Sequence, residues 1–245
     1  DYPIFLLSTL RYNDDGSKTT FDLHGINTLV IDLQDLPPED VKLCAQAELK
    51  GGISEKLHTL LVARTGGNPF YVQQMTLYFV ENGIVTLQEG RWRLMAETFK
   101  LPDTINAVLI ARIDRLAQQV KELVKVASVI GREFDVLLLS AVLKRDVVYQ
   151  VKVVEENQIW DQLQELQYIF KHALIRDTAY QMQLRARLRE LHQLTAEAME
   201  TLYADSLAEK YADLAFHYEN AEIRDKTIDY LEKAGDQAKT RYQNQ

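Results

Sequence analysis

A mainly α protein is predicted by two features of the sequence. All five prolines and eight of the ten glycines lie at or before position 102, and beyond it only Gly131 and Gly235 interrupt the chain. Proline and glycine punctuate regular structure, and the long remainder is rich in Leu, Ala, Gln, Glu, Lys and Arg, which favour helix. Its apolar residues recur at helical spacing, with Ile105, Leu109, Ile113 and Leu116 on one stripe and Leu123, Val124, Ala127 and Ile130 on another.

The elements follow in order. Two apolar runs, Ile4 to Thr9 and Thr28 to Leu33, read as buried strands around a polar segment, Asn13 to Lys18. The first run follows straight after Asp1, which is expected of a chain that begins inside a fold. Pro37-Pro38-Glu39-Asp40 opens a helix, with prolines where the first turn tolerates them and acids where the dipole favours them. Gly51-Gly52 is expected to end it. A second helix runs from about Ser54, its N-cap, to Arg64. Then Thr65-Gly66-Gly67-Asn68-Pro69 places Asn68 as N-cap and Pro69 as first helical residue of a helix reaching Asn82 and Gly83. Ile84 to Leu87 and Arg91 to Leu94, joined by Gln88-Glu89-Gly90, read as a hairpin.

Leu101-Pro102-Asp103 opens the helical half. After the two stripes come a helix from Val136 to Leu143, one near Glu155 to Leu166, a short strand at Gln167 to Phe170, and one long helix holding His172 to His192. Helices followed by a short strand element and another helix are in a winged-helix order. From Ser206, Tyr211, Leu214, Ala215 and Tyr218 mark one amphipathic helix and Ile228, Leu231, Ala234 and Ala238 the next, resembling a tetratricopeptide repeat. One repeat and the start of another fit before Gln245. Because a single repeat cannot bury its own apolar face, a longer array is expected.

Composition excludes several functions. The chain has 245 residues, which at roughly 150 per domain suits one large domain or a few small modules. Lys and Arg number 28 against 36 Asp and Glu, a formal charge of −8 that argues against nucleic acid as the main partner. The single Cys44 forbids an internal disulfide and a thiolate zinc site, and suits a reducing, cytoplasmic setting. No run is apolar enough to span a membrane.

Motifs for chemistry are missing too. There is no GxxxxGK[ST] to cradle phosphates, and Gly16-Ser17-Lys18 lacks the earlier glycine. The run Leu29-Val30-Ile31-Asp32 imitates a magnesium-binding strand but has no P-loop before it. The five histidines have no metal-ligand spacing, and no nucleophile elbow exists. The chain alone reads as no catalyst, with neither a catalytic residue nor a metal ligand.

Three ordered segments carry a resemblance: Ser8-Thr9-Leu10-Arg11-Tyr12, then Gly67-Asn68-Pro69-Phe70, then Phe170-Lys171-His172-Ala173-Leu174-Ile175-Arg176-Asp177. Between them Ala111 to Leu116 and Val129 to Phe134 conform as well, as do Leu214 to Tyr218 and Tyr230 to Gly235 in the tail. Together they resemble the STAND class of signal-transduction ATPases, in particular the bacterial predicted ATPases fused to cyclase or kinase domains and to tetratricopeptide repeats. The resemblance implies an ATP/ADP switch that uses Mg, with the P-loop upstream of this chain and hydrolysis belonging to the full-length parent. It implies that residues 1–36 are the last strands of a P-loop domain, a remnant of an α/β nucleotide-binding fold. Residues 37–101 would be a helical lid with its hairpin, 102–203 a winged-helix domain and 204–245 the start of a TPR-like α-solenoid. Implied partners are ATP/ADP, a protein bound through the repeats, and further copies of the chain on activation.

The same resemblance assigns roles. Arg11, after an apolar strand, matches an arginine that senses the terminal phosphate, a task suited to a permanently charged, forked guanidinium. Pro69, held by the Gly66-Gly67 turn and the Asn68 cap, matches the lid proline that packs on adenine. His172 matches the winged-helix histidine that contacts the ADP β-phosphate and holds the closed state. The family carries Asp directly after that histidine, whereas here Ala173 follows and the acid is Asp177. Arg176, four residues on, is the alternative anion contact. Competing readings are a helical interaction scaffold that uses no nucleotide, and a winged-helix transcription regulator. The latter is opposed by the lack of basic residues in Val136 to Leu143.

Overall fold

The structure is a computed structural model that describes residues 5–10, 28–96 and 101–243, with side chains to 240. It is mainly α, with eleven α-helices and six short strands among the described residues. Two units are distinct, residues 1–35 and 36–245. In the first, residues 5–10 and 28–35 carry no strand, which corrects the strands expected there. Phe5, Leu6, Leu29, Val30 and Leu33 are each about four-fifths exposed or more. A strand is held by its ladder, and among the described residues neither run has a partner strand.

The second unit opens with α1 (Pro38–Leu49), β1 (Gly52–Ile53), α2 (Glu55–Thr65) and α3 (Pro69–Glu81), followed by the hairpin β2 (Val85–Gln88) and β3 (Arg91–Leu94). Local signals act as read: Ser54 accepts from the Leu57 amide, and Pro38 stands in the first turn of α1. The helix α1 stops at Lys50, itself left-handed at φ 51°, one residue before Gly51. Glu89 and Gly90 both take positive φ, the requirement of a tight type I′ turn. β1 was not expected; it pairs parallel with β3 and makes the sheet order β1-β3-β2. The apolar faces of these helices, with Leu57, Leu61, Val72, Met75 and Phe79, form one core.

A second core begins in α4 (Ile105–Arg115), capped by Thr104, and α5 (Gln118–Ile130). Then come β4 (Glu133–Asp135), α6 (Val136–Leu143), α7 (Val148–Glu156), β5 (Trp160–Gln164), β6 (Gln167–Phe170), α8 (Ala173–Gln181) and α9 (Arg185–Leu202). The helix expected near Glu155 to Leu166 is not formed. α7 ends at Glu156, Gln158 turns left-handed at φ 58°, and the chain enters β5, which pairs antiparallel with β6. The fully buried Trp160 drives this choice. Its ring meets Phe134 edge-on at 4.9 Å and Phe170 at 5.6 Å, and its Nε1 donates to the Val151 carbonyl at 3.0 Å. β4 completes the sheet in the order β4-β6-β5.

The long helix expected over His172 to His192 is two. His172 stands before α8 as its N-cap, and Leu184 is extended between α8 and α9. No proline or glycine breaks it; tertiary packing does. α8 buries Ile175 and Ala179 while α9 buries Leu191, Thr195, Ala196 and Met199. The Gln183 side chain holds the corner by donating to the Lys125 carbonyl at 3.1 Å. A 3₁₀ segment, Ala204–Lys210, leads into α10 (Tyr211–Asn220) and α11 (Arg224–Gln243), the two helices read from the sequence. Tyr218 and Tyr230 stack between these helices at 5.7 Å, and the Tyr230 hydroxyl donates to Glu200 on α9. Among the described residues no helix is long and apolar enough to cross a membrane.

Candidate functional site

The start of α3 is built by four consecutive residues. Gly66 ends α2 in the left-handed region at φ 58°, and Gly67 continues it at φ 84°, conformations that strain any residue with a Cβ. The buried Gly67 accepts the Leu36 amide through its carbonyl at 2.8 Å. Asn68 Oδ1 then accepts the Tyr71 amide at 2.9 Å, and Pro69 occupies the first helical position. This fixes Asn68 and Pro69 on the outside and aims the half-buried Phe70 inward.

His172 reaches the same place from the other core. It leaves β6 with extended backbone, and its Nδ1 accepts the Leu174 amide at 3.2 Å, capping α8. Accepting at Nδ1 puts the proton of the neutral ring on Nε2. The ring lies flat on Phe70, with centroids 3.8 Å apart and planes 14° apart. The N-termini of α3 and α8 are thereby brought within side-chain contact, and helix N-termini favour anions.

Gly67, Asn68, Pro69 and His172, chosen from sequence, therefore come together, joined by Phe70. Arg176 does not join them. Its Nε donates to the Ser128 carbonyl at the end of α5 at 2.9 Å, its Nη1 meets Asp177 at 3.1 Å, and its guanidinium lies over the Tyr180 ring. A helix C-terminus is a natural seat for a cation. Arg11 lies outside the described residues.

Two polar clusters escaped the sequence reading. Arg112 is buried and bonded to Glu81, Gln74 and the Asn157 carbonyl. Its signal was present: it falls between Leu109 and Ile113 on the apolar stripe of α4. The other cluster lies under α8, where His192 Nδ1 and His217 Nδ1 approach to 2.9 Å and the Tyr180 hydroxyl meets His192 Nε2 at 3.0 Å. Burial, then His217 and Arg176, pulls His192 down to about 4; burial, then Arg176, does the same to His217. Both rings are neutral at pH 7, and one consistent assignment has Tyr180 donating to His192 and His192 donating to His217. A nearby cavity of about 310 Å³ is lined by Arg185, Arg189 and Glu222, whose charges pair with one another. Among the described residues no group of three or more His, Cys, Asp or Glu is placed to hold a metal ion.

No family model matches the chain, and no curated protein is similar to it. Among solved structures it is similar in fold to a signal transduction ATPase with numerous domains (STAND) protein with a tetratricopeptide repeat sensor from Pyrococcus horikoshii. The TM-score is 0.53 at 12% identity over 79% of this chain. The match spans 26% of that protein.

Proposed function

We propose that this chain is the lid, winged-helix and repeat-start portion of a STAND-type ATP/ADP switch in signal transduction. The observation that carries the proposal is the stack of Phe70 on His172, which sets the Asn68-Pro69 turn beside the α8 N-terminus. The residues fit a nucleoside diphosphate. The exposed Pro69 ring offers a flat apolar face to a base, and His172 stands at the N-terminus of α8, where backbone amides favour a phosphate. Nucleotide with its Mg would supply the negative charge on which lid and winged helix close, the remaining contacts coming from a P-loop domain. Closure on ADP and opening on ATP require that these contacts differ between the two states. The run α5-β4-α6-α7-β5-β6 with sheet order β4-β6-β5 supports the winged-helix reading of residues 102–203. In such an order α7 would face DNA, and its exposed residues Val148, Tyr149, Lys152 and Glu156 offer one base against one acid. That favours a regulatory module over a DNA reader.

The test is ADP retention by the full-length protein. His172→Ala and Pro69→Ala should each speed ADP dissociation at least tenfold, measured with a fluorescent analogue, while Lys144→Ala leaves it unchanged. A full-length protein that gives no heat on titration with ADP or ATP refutes the switch and leaves the interaction scaffold.

A further inference from the structure

The two apolar cores meet along a seam that holds a buried polar cluster. α4 lies in it, giving Val108 to the first core and Leu109 and Ile113 to the second. Arg112, on the same helix, is only 5% exposed. Its Nε donates to both carboxylate oxygens of Glu81 at 3.0 and 3.1 Å, and its Nη2 donates to Glu81 at 2.6 Å and to the Asn157 carbonyl at 3.0 Å. Its Nη1 donates to Gln74 Oε1. Glu81 and Gln74 belong to α3 of the first core, whereas Asn157 closes α7 of the second. One guanidinium thus bonds to both.

A second, shallower tie runs parallel. Glu48 of α1 accepts from Gln73 of α3 at 2.9 Å and from Gln158, next to Asn157, at 3.3 Å. These polar ties differ from the apolar contact that Phe70 of α3 makes with the second core. A buried ion pair adds little net stability because both charges regain water when parted, yet it is satisfied in one docked geometry alone. Polar surfaces between compact bodies are where relative motion is expected.

We infer that Arg112 is a latch: its fork on Glu81, Gln74 and the Asn157 carbonyl holds the two cores docked, and its loss lets them part as folded bodies. The inference involves no ligand, so it stands or falls separately from the nucleotide reading.

The experiment is distance measurement by pulsed electron paramagnetic resonance on the full chain without nucleotide. Spin labels are placed through Gln88→Cys and Glu156→Cys, both exposed and on opposite sides of the seam, in a Cys44→Ser background. The background should show one narrow distance. Arg112→Lys, which keeps the charge and loses the fork, should add a distinct longer population at least threefold above background, with helical circular dichroism unchanged. Glu81→Gln, nearly isosteric, should do the same. An unchanged distance in both variants overturns the latch. So does loss of helical signal without a discrete longer distance, because that marks a residue the fold itself cannot spare.

Discussion

His172 has two structural duties, and they can be separated. Its Nδ1 caps α8, and its ring stacks on Phe70. Losing a cap costs about 1 kcal/mol, and losing a close aromatic pair costs about 1 kcal/mol beyond buried area. His172→Ala should therefore lower unfolding free energy by about 2 kcal/mol, whereas His172→Asn, which retains a cap acceptor, should lose about half of that. Phe70→Leu keeps apolar volume and removes the stack. Urea unfolding followed by circular dichroism on the two single variants and their combination gives a double-mutant cycle. A coupling of about 1 kcal/mol is expected, against the few tenths typical of independent sites. If Phe70→Leu and His172→Asn add within about 0.3 kcal/mol, the stack contributes nothing and the structural basis for joining the starts of α3 and α8 fails.

Further outcomes follow from the buried groups. His192 and His217 are held at about 4 against an ordinary 6.5, so the unfolded chain takes up protons first as pH falls. Stability is complete above about pH 6.5 and declines toward pH 4. At pH 5 the loss should be roughly 1 to 2 kcal/mol for each ring, read as a lower thermal midpoint than at pH 7, and His192→Gln should flatten the slope. Trp160→Phe removes the indole bond to the Val151 carbonyl and opens space among Phe134 and Phe170, so urea unfolding should show a loss of about 2 to 4 kcal/mol. Asn68→Ala removes the α3 cap and should cost about 1 kcal/mol by the same measurement.

Where a structure is written in neighbouring residues, the sequence could be read directly. Asn68 before Pro69, Ser54 before Glu55 and Glu89-Gly90 between the two arms of the hairpin each act through hydrogen bonds or dihedral preferences a few residues long. They appear as expected. Elsewhere the local signals are ambiguous. The valine-rich stretch before Trp160 suits helix or strand equally, and no breaker announces the corner at Leu184. The bend there follows from which faces of α8 and α9 must be buried, a constraint set by helices distant in sequence.

The candidate site divides in the same way. That Gly67, Asn68, Pro69 and His172 are notable residues was legible from their motifs, because a helix start and a capping side chain are local devices. That Phe70 and His172 touch, that Arg176 turns instead to the α5 carboxyl end, and that Arg112 joins α3 to α7 were decided only by tertiary packing. A charged side chain on an apolar stripe must find its counter-charge once buried, but periodicity carries no information about which distant carboxylate arrives. The amino-acid order determined the helices and their caps; the packing of two cores around α4 determined which side chains became partners.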